Sequence, residues 1–568
     1  MHHRLRLVGG ALTRFKMRRQ AARFARQIQS AQTEQARVLR ELLALNTGSD
    51  FARQHGFAEI RSAADFRRRL PIADYETFRP YIDRVRNGQL SALLGPANPL
   101  LMFALTSGTT SDSKYIPITK RFLDDYRRGW KVWGIRSYDD HPALFALDIL
   151  QLSSDHDQFR TAGGHPCGNI SGLVSAMQSP IVKTMYTVPD VVSKIKSPDA
   201  KYYTALRLSL ANRRVGMVMT ANPSTVINLA KLGEAQKEEL IRDIHDGTLS
   251  TKFEVADEVR RALRRRYGKR NPKRARELEE IIRRTGHLYP SDYWPDITLL
   301  AVWTGGSAGA YTAGLRQYYG DIPIRDHGLS ASEGRMTIPL RDHRPDGLLD
   351  IGTHYFEFVP EAEHGSSQPT VLEAHELKEG ECYFILLTTA SGLCRYDIRD
   401  VVRCTGFEGS TPLLEFLNKG SHISSVTGEK ISESQVVGAL KQATAELNLQ
   451  LSYYTLTPVW GDPPGYRLLL EEGDLPARDV ADRLCRAADA RLQQINMEYG
   501  EKRNTGRLTP MAPVLLPPGS WTRFARTRQA KLGGSVEQYK HPCLAPDLKF
   551  CDSFLSSFAV SPAPQSNR

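Results

Sequence analysis

Apolar positions along this chain switch between two spacings, and the switches mark its architecture. Short apolar runs bounded by Gly, Pro, Ser or Asn recur at 99–106 (PLLMFALT), 215–219 (VGMVM), 297–303 (ITLLAVW) and 381–389 (ECYFILLTT) and read as strands. Helical spacing fills the gaps, at 119–130, 224–232 and 310–320, with one or two helices over 1–45. IPIRDHGL (322–329) reads as a further strand, and 232–290 as charged, peripheral helices. Strands alternating with helices predict an α/β domain. Apolar density falls through NKGSHISSVTGEK (418–430), which reads as a hinge. Beyond it the order helix, strand, strand, helix, strand (432–518) describes a compact α+β domain. Two domains follow, 1–426 and 427–568.

Composition narrows the class. At 568 residues the chain exceeds one core, and 41% hydrophobic with 24% charged residues is ordinary for a globular protein. No apolar run approaches the ~18 residues of a membrane span. The seven cysteines are scattered, none in C-x-x-C, which argues against a disulfide framework or zinc site and for a reducing, cytoplasmic setting. The net charge of +13 is uneven: residues 1–40 hold ten Lys or Arg against Glu34 alone. A second basic block runs over 259–276. Both read as solvated helix faces. No aromatics interleave the arginines, so no specific nucleic-acid partner is expected, and the N-terminal arm offers at most weak membrane-surface contact. A monomer is expected.

Chemistry concentrates at 105–117, LTSGTTSDSKYIP. Thr106, Ser107, Gly108, Thr109 and Thr110 place short hydroxyls and uncovered backbone N–H groups around one turn, with Lys114 at its rim. Many oriented donors suit a polyphosphate. A strand before it and a helix after it predict a strand-to-helix turn. The stretch lacks the spacing of the P-loop pattern G-x-x-x-x-G-K-[ST]. Three further constellations follow in order. Ser332-Glu333 comes after a strand, where a carboxylate can hold a Mg²⁺ that bridges phosphates. GLCRYDIRDVVRCTGF (392–407) carries Tyr396 and Asp400, an acceptor for ribose hydroxyls, with Arg403 adding a cation. Gly428-Glu429-Lys430 lies at the hinge.

These stretches resemble the acyl-adenylate-forming superfamily of luciferases and acyl-CoA ligases. Within it the chain is most similar to the acyl acid amido synthetases that conjugate auxin or jasmonate to amino acids, over nearly its whole length. The late segment GGSVEQYKHPC (533–543) resembles that family's Q-Y-K-x-P-R-C ending. The resemblance implies a large luciferase-like N-terminal adenylating domain of packed β-sheets and helices with a smaller mobile α+β C-terminal domain. It implies ATP and Mg²⁺ as cofactors, and a small carboxylic acid and an amino acid or other amine as substrates. By it Ser107, Gly108, Thr109 and Thr110 hold phosphates, Glu333 the metal and Asp400 the ribose, and Gly305 and Gly306 lie against adenine. Lys540 faces the α-phosphate and Lys430 belongs to the mobile segment, with Lys531 as a rival for the C-terminal lysine. Three positions depart from the pattern: Leu329 stands where the family has Tyr, Arg399 where it has Gly before the ribose Asp, and Cys543 where it has Arg.

Two other readings stay open. A coenzyme A ligase shares the adenylation step and differs in the acceptor. A serine hydrolase would use Ser307 in Gly305-Gly306-Ser307-Ala308-Gly309, which fits G-x-S-x-G, with Asp326, His327, Asp350 and His354 downstream. Residues 168–177 and 220–224 are candidates for the acyl pocket.

Overall fold

The computed structural model describes residues 2–106, 114–306, 312–420, 423–424, 426–427, 429, 431–532 and 541–559. It divides into two compact units: one reaching to Gly305 and continuing over Leu315–Phe416, the other built from Leu417 onward.

In the first unit, a four-stranded parallel sheet takes Asp148–Gln151, Val215–Met219, Leu299–Ala301 and Ile324–Arg325 side by side in chain order. The two central strands, Val215–Met219 and Leu299–Ala301, are buried on both faces, which is why their runs are continuously apolar rather than alternating. The helices of 198–285 cover this sheet, burying Leu206, Val226, Ile244, Leu263 and Leu278 against it. Ser197 and Asn222 cap two of them with their side chains, and Pro198 and Pro223 take the first turn. The expected strand over 322–329 shrinks to Ile324–Arg325. Past it, Asp326 turns inward to hydrogen-bond loops, and Gly328 at φ +86° ends the extended path.

A seven-stranded antiparallel sheet holds Tyr355–Pro360, Cys382–Thr388, Tyr396–Glu408 and Thr411–Lys419. A smaller sheet pairs Leu100–Thr106 with Lys114–Thr119 antiparallel and with Pro166–Gly168 in parallel. One core joins these two sheets to the helices Ala31–Asn46 and Tyr75–Arg86. Here the sequence expectation is corrected: 105–117 is not a strand-to-helix turn. KYIPIT is a second strand that pairs antiparallel with Leu100–Thr106 as a β-hairpin, and 107–113 between them lie outside the described residues. Alternating apolar residues at Ile116 and Ile118 carry that strand, and Thr119 then caps the helix Lys120–Asp140 with a side-chain bond from Phe122 N–H at 3.2 Å.

The second unit packs the helices Glu433–Glu446 and Arg478–Ile495 on a sheet of Tyr454–Val459, Gly465–Glu471 and Ala512–Leu516. Its first two strands are antiparallel and the third joins in parallel, which the helix between them makes possible. This is the expected α+β order. No described helix is long and apolar enough to cross a membrane.

Candidate functional site

The hairpin is seated from below by the helix Tyr75–Arg86. The Tyr75 hydroxyl accepts the N–H of Tyr115 at 2.9 Å, and Lys114 Nζ lies 5.4 Å from the Tyr75 ring centre. Burial pushes the Tyr75 phenol up, so it stays neutral there. Thr106 ends the outgoing strand opposite Lys114, and Ser107, Gly108, Thr109 and Thr110 between them lie outside the described residues. The same helix presents Phe78, fully buried, to Tyr396, with ring centres 6.1 Å apart. Ala73, just before the helix, exchanges backbone bonds with Arg395 (3.1 Å) and Asp397 (2.8 Å). One short helix therefore carries both the hairpin and the start of the strand that bears Asp400.

That strand is anchored by a largely buried charge cluster. Glu357 accepts Arg395 Nε at 3.0 Å and Arg67 Nε at 2.9 Å, while Arg395 also donates to the Leu70 carbonyl at 2.6 Å. Two guanidinium groups share the one Glu357 carboxylate, and Glu373, 3.6 Å from Arg67, supplies the second negative charge. The strand then bulges. Val401 faces Phe384 and Asp397 faces Leu386, so Ile398, Arg399 and Asp400 stand opposite Ile385 alone. Arg399 takes φ +58°, a conformation costing a side-chain-bearing residue on the order of 1 kcal/mol. Asp400 is buried within the bulge. Arg403, farther along, is half-exposed beside Glu415 (3.9 Å) and Glu361.

Ser332 and Glu333 form the turn joining Ser330–Ala331 to Gly334–Arg335. The turn is fixed by Leu329, whose N–H donates to Thr337 Oγ1 and whose carbonyl accepts Met336 N–H, both at 2.8 Å. Leu329 itself lies in the apolar core. Glu333 is buried and its carboxylate lies 3.5 Å from the Tyr396 hydroxyl. Burial, and then the Glu333 charge, push the Tyr396 phenol far up, so it remains a donor at any working pH. Trp303 leads to Gly305 and Gly306, the latter at φ +57°. A Cβ at Gly305 would meet the Trp303 indole nitrogen at 3.1 Å. Thr304 donates its hydroxyl to Asp326 at 2.6 Å, and the other Asp326 oxygen accepts Gly328 N–H at 2.6 Å. Asp326 thus ties the glycine loop to the segment entering the Glu333 turn. Burial raises its carboxyl to about 6 against those bonds.

Sequence reading passes over Arg335, which is fully buried with its guanidinium 4.2 Å from the Trp130 ring centre and 2.7 Å from the His327 carbonyl. It clamps the Glu333 turn to the helix Lys120–Asp140. The available signal was a lone arginine inside the apolar stretch GRMTIP. The hydrolase residues do not form a relay: Asp326 is engaged by Thr304 and Gly328, Asp350 by Arg128 (3.2 Å), and His327 by the Ala301 carbonyl. Ser307 lies outside the described residues.

In the second unit, Lys430 and Lys540 also lie outside the described residues, and Lys531 belongs to the helix Ser520–Leu532. Their neighbours are tightly placed. Glu429 accepts Val426 N–H (2.8 Å), Thr427 N–H (2.7 Å) and the Tyr466 hydroxyl, which together hold its carboxyl down against burial. Glu433 accepts Cys543 N–H at 2.7 Å, joining the two lysine-bearing segments. His541 is buried between Tyr453 and Trp521, and burial drives its ring down to about 3. Cys543 is likewise in the core, where the family's Arg would not fit without moving its neighbours.

The donor set fits the groups that the resemblance implies. Glu333 is a hard oxygen donor, the kind Mg²⁺ takes. Asp400 is an acceptor at a bulge, and Gly305 is buried against Trp303 and Phe416.

Residues 20–324 match the GH3 family N-terminal domain, 347–419 its central domain and 434–549 its C-terminal domain. A jasmonoyl–L-amino acid synthetase of Nicotiana attenuata is 26% identical over 549 residues, covering 93% of each chain. An indole-3-acetic acid-amido synthetase of Arabidopsis thaliana is 26% identical over 576 residues, covering 94% of this chain and 92% of its own. Among solved structures, the GH3.15 acyl acid amido synthetase superposes with a TM-score of 0.81 at 22% identity, covering 93% of this chain and 94% of its own.

Proposed function

The chain belongs to the GH3 family, and from that premise we propose that it is an ATP-dependent acyl acid amido synthetase. A carboxylate oxygen of the acid attacks the α-phosphorus of ATP, the bond to the β-phosphate breaks, and pyrophosphate leaves. The amine of an amino acid then attacks the acyl carbon, and AMP leaves as the amide forms. The observation that carries this reading is the helix Tyr75–Arg86, which seats the hydroxyl-rich hairpin with one residue and the Asp400 strand with another. That is what gripping two ends of one nucleotide requires.

Thr106, Ser107, Gly108, Thr109 and Thr110 take the phosphates and Gly305 and Gly306 the adenine. Asp400 takes the ribose hydroxyls, with Tyr396 and Arg403 nearby, and Ser332 shapes the Glu333 turn. Glu333 holds Mg²⁺, which supplies charge neutralisation on the phosphates when bound. Tyr396, neutral and aimed at Glu333, fixes the carboxylate. Lys540 and Lys430 arrive with the mobile domain 427–568, one for adenylation and one with the moving segment. The protein supplies alignment and electrostatics and forms no bond to substrate. Seven free cysteines accord with a reducing, cytoplasmic setting.

The test is a pyrophosphate-release screen of carboxylic acids crossed with amino acids, products read by mass spectrometry, with coenzyme A as a parallel acceptor. An amide product whose formation needs ATP supports the reading. Thioester formation with no amide overturns it.

A further inference from the structure

Arg399 occupies a backbone conformation that glycine adopts freely and arginine does not, at φ +58° in the middle of the bulge. A side-chain-bearing residue stays there only when its surroundings over-determine it. Asp397 does so. Its Oδ1 accepts Arg399 N–H at 2.7 Å, the two-residue span by which an aspartate side chain imitates a backbone turn. Its other oxygen lies 2.9 Å from His364 Nε2, and the His364 ring lies flat on Phe384, centroids 3.5 Å apart and planes 13° from parallel. Its N–H donates to the Ala73 carbonyl at 2.8 Å. The residue is held by backbone and by both carboxylate oxygens. The contact from the Arg399 guanidinium to Asp74, 3.7 Å and exposed, adds little.

We propose that Asp397, pinned by His364, is a positioning residue that holds the left-handed turn at Arg399 and so aims Asp400 at the ribose of ATP. This rests on the ribose role given to Asp400 under Proposed function. An acceptor at 397 does here what conformational freedom at 399 would otherwise do. Without it Arg399 relaxes toward negative φ and Asp400 turns away.

The experiment measures KM for ATP and for the acid in ATP–pyrophosphate exchange. Asp397→Ala is expected to raise KM for ATP about tenfold while KM for the acid changes less than about twofold. Asp397→Asn, which keeps an acceptor oxygen, is expected to lose about threefold or less, and His364→Ala a similar amount. Arg399→Gly added to Asp397→Ala is expected to recover most of the ATP affinity, a rescue that general loss of packing would not allow. An unchanged KM for ATP in Asp397→Ala, or no recovery in the double variant, overturns the proposal. If Asp397→Ala alone does not fold, a folded double variant with near-normal KM for ATP supports it, and an unfolded or impaired one overturns it. Asp400→Ala separates the premises. If it leaves KM for ATP unchanged, the ribose reading and the positioning role fail together. If it raises KM while Asp397→Ala does not, only the positioning role fails.

Discussion

Replacing Asp326 by Asn tests the electrostatics that tie the glycine loop to the Glu333 turn. Burial lifts this carboxyl from 3.8 to about 6 in the folded protein, even with Thr304 and Gly328 donating to it. The shift of about two units corresponds to roughly 3 kcal/mol against the charged form. Because the folded value is the higher one, the stability this group contributes is complete below 3.8 and is lost as pH rises through about 6. Between about pH 4.5 and about pH 7.5 the loss amounts to about 2 kcal/mol. Asp326→Asn cannot ionise yet keeps an acceptor oxygen, so it lacks that slope. The assay is urea unfolding of both proteins at the two pH values. The stability difference between them should move by about 2 kcal/mol in favour of the variant at the higher pH. Asp125 and Asp350, also raised by burial, are present in both proteins and cancel in the subtraction. A difference that stays constant with pH would refute the argument that Asp326 is strained as an anion.

Asp400→Ala and Glu333→Ala should each lower acid-dependent ATP–pyrophosphate exchange by about 10² or more, the scale of losing a contact made in the transition state; near-normal exchange in both would remove their roles. Lys540→Ala should slow exchange more than Lys531→Ala, and the reverse order would transfer the role to Lys531. Phe78→Ala empties a fully buried site between hairpin and strand and should cost about 3–5 kcal/mol by chemical denaturation, with KM for ATP raised in whatever folds. Tyr396→Phe removes the long 3.5 Å contact to Glu333 and should weaken magnesium dependence of exchange by about threefold, read as a shift in the half-saturating Mg²⁺ concentration.

Much of this molecule is legible in the chain because its signals are local. Apolar runs marked Val215–Met219, Leu299–Ala301 and Cys382–Thr388, and helical spacing marked Pro223–Ala235 and Glu433–Glu446. The Ser332-Glu333 turn and the strand bearing Asp400 were likewise identified from short spacings of residue types that need no partner to be recognised. Local signals fail where two structures satisfy the same pattern. KYIPIT could continue a loop or return as a strand, and what settled it was pairing with Leu100–Thr106 over a shared core.

What the sequence by itself determined was the succession of elements and the inventory of chemically apt side chains, because periodicity and short motifs act within a few residues. Only the tertiary structure decided which of them meet. Tyr75 and Phe78 join the hairpin to Tyr396, Arg335 reaches Trp130, and His364 from another loop holds Asp397. Those contacts bridge segments tens to hundreds of residues apart. Chain entropy opposes such closures until a common core forms, so no single stretch can announce them.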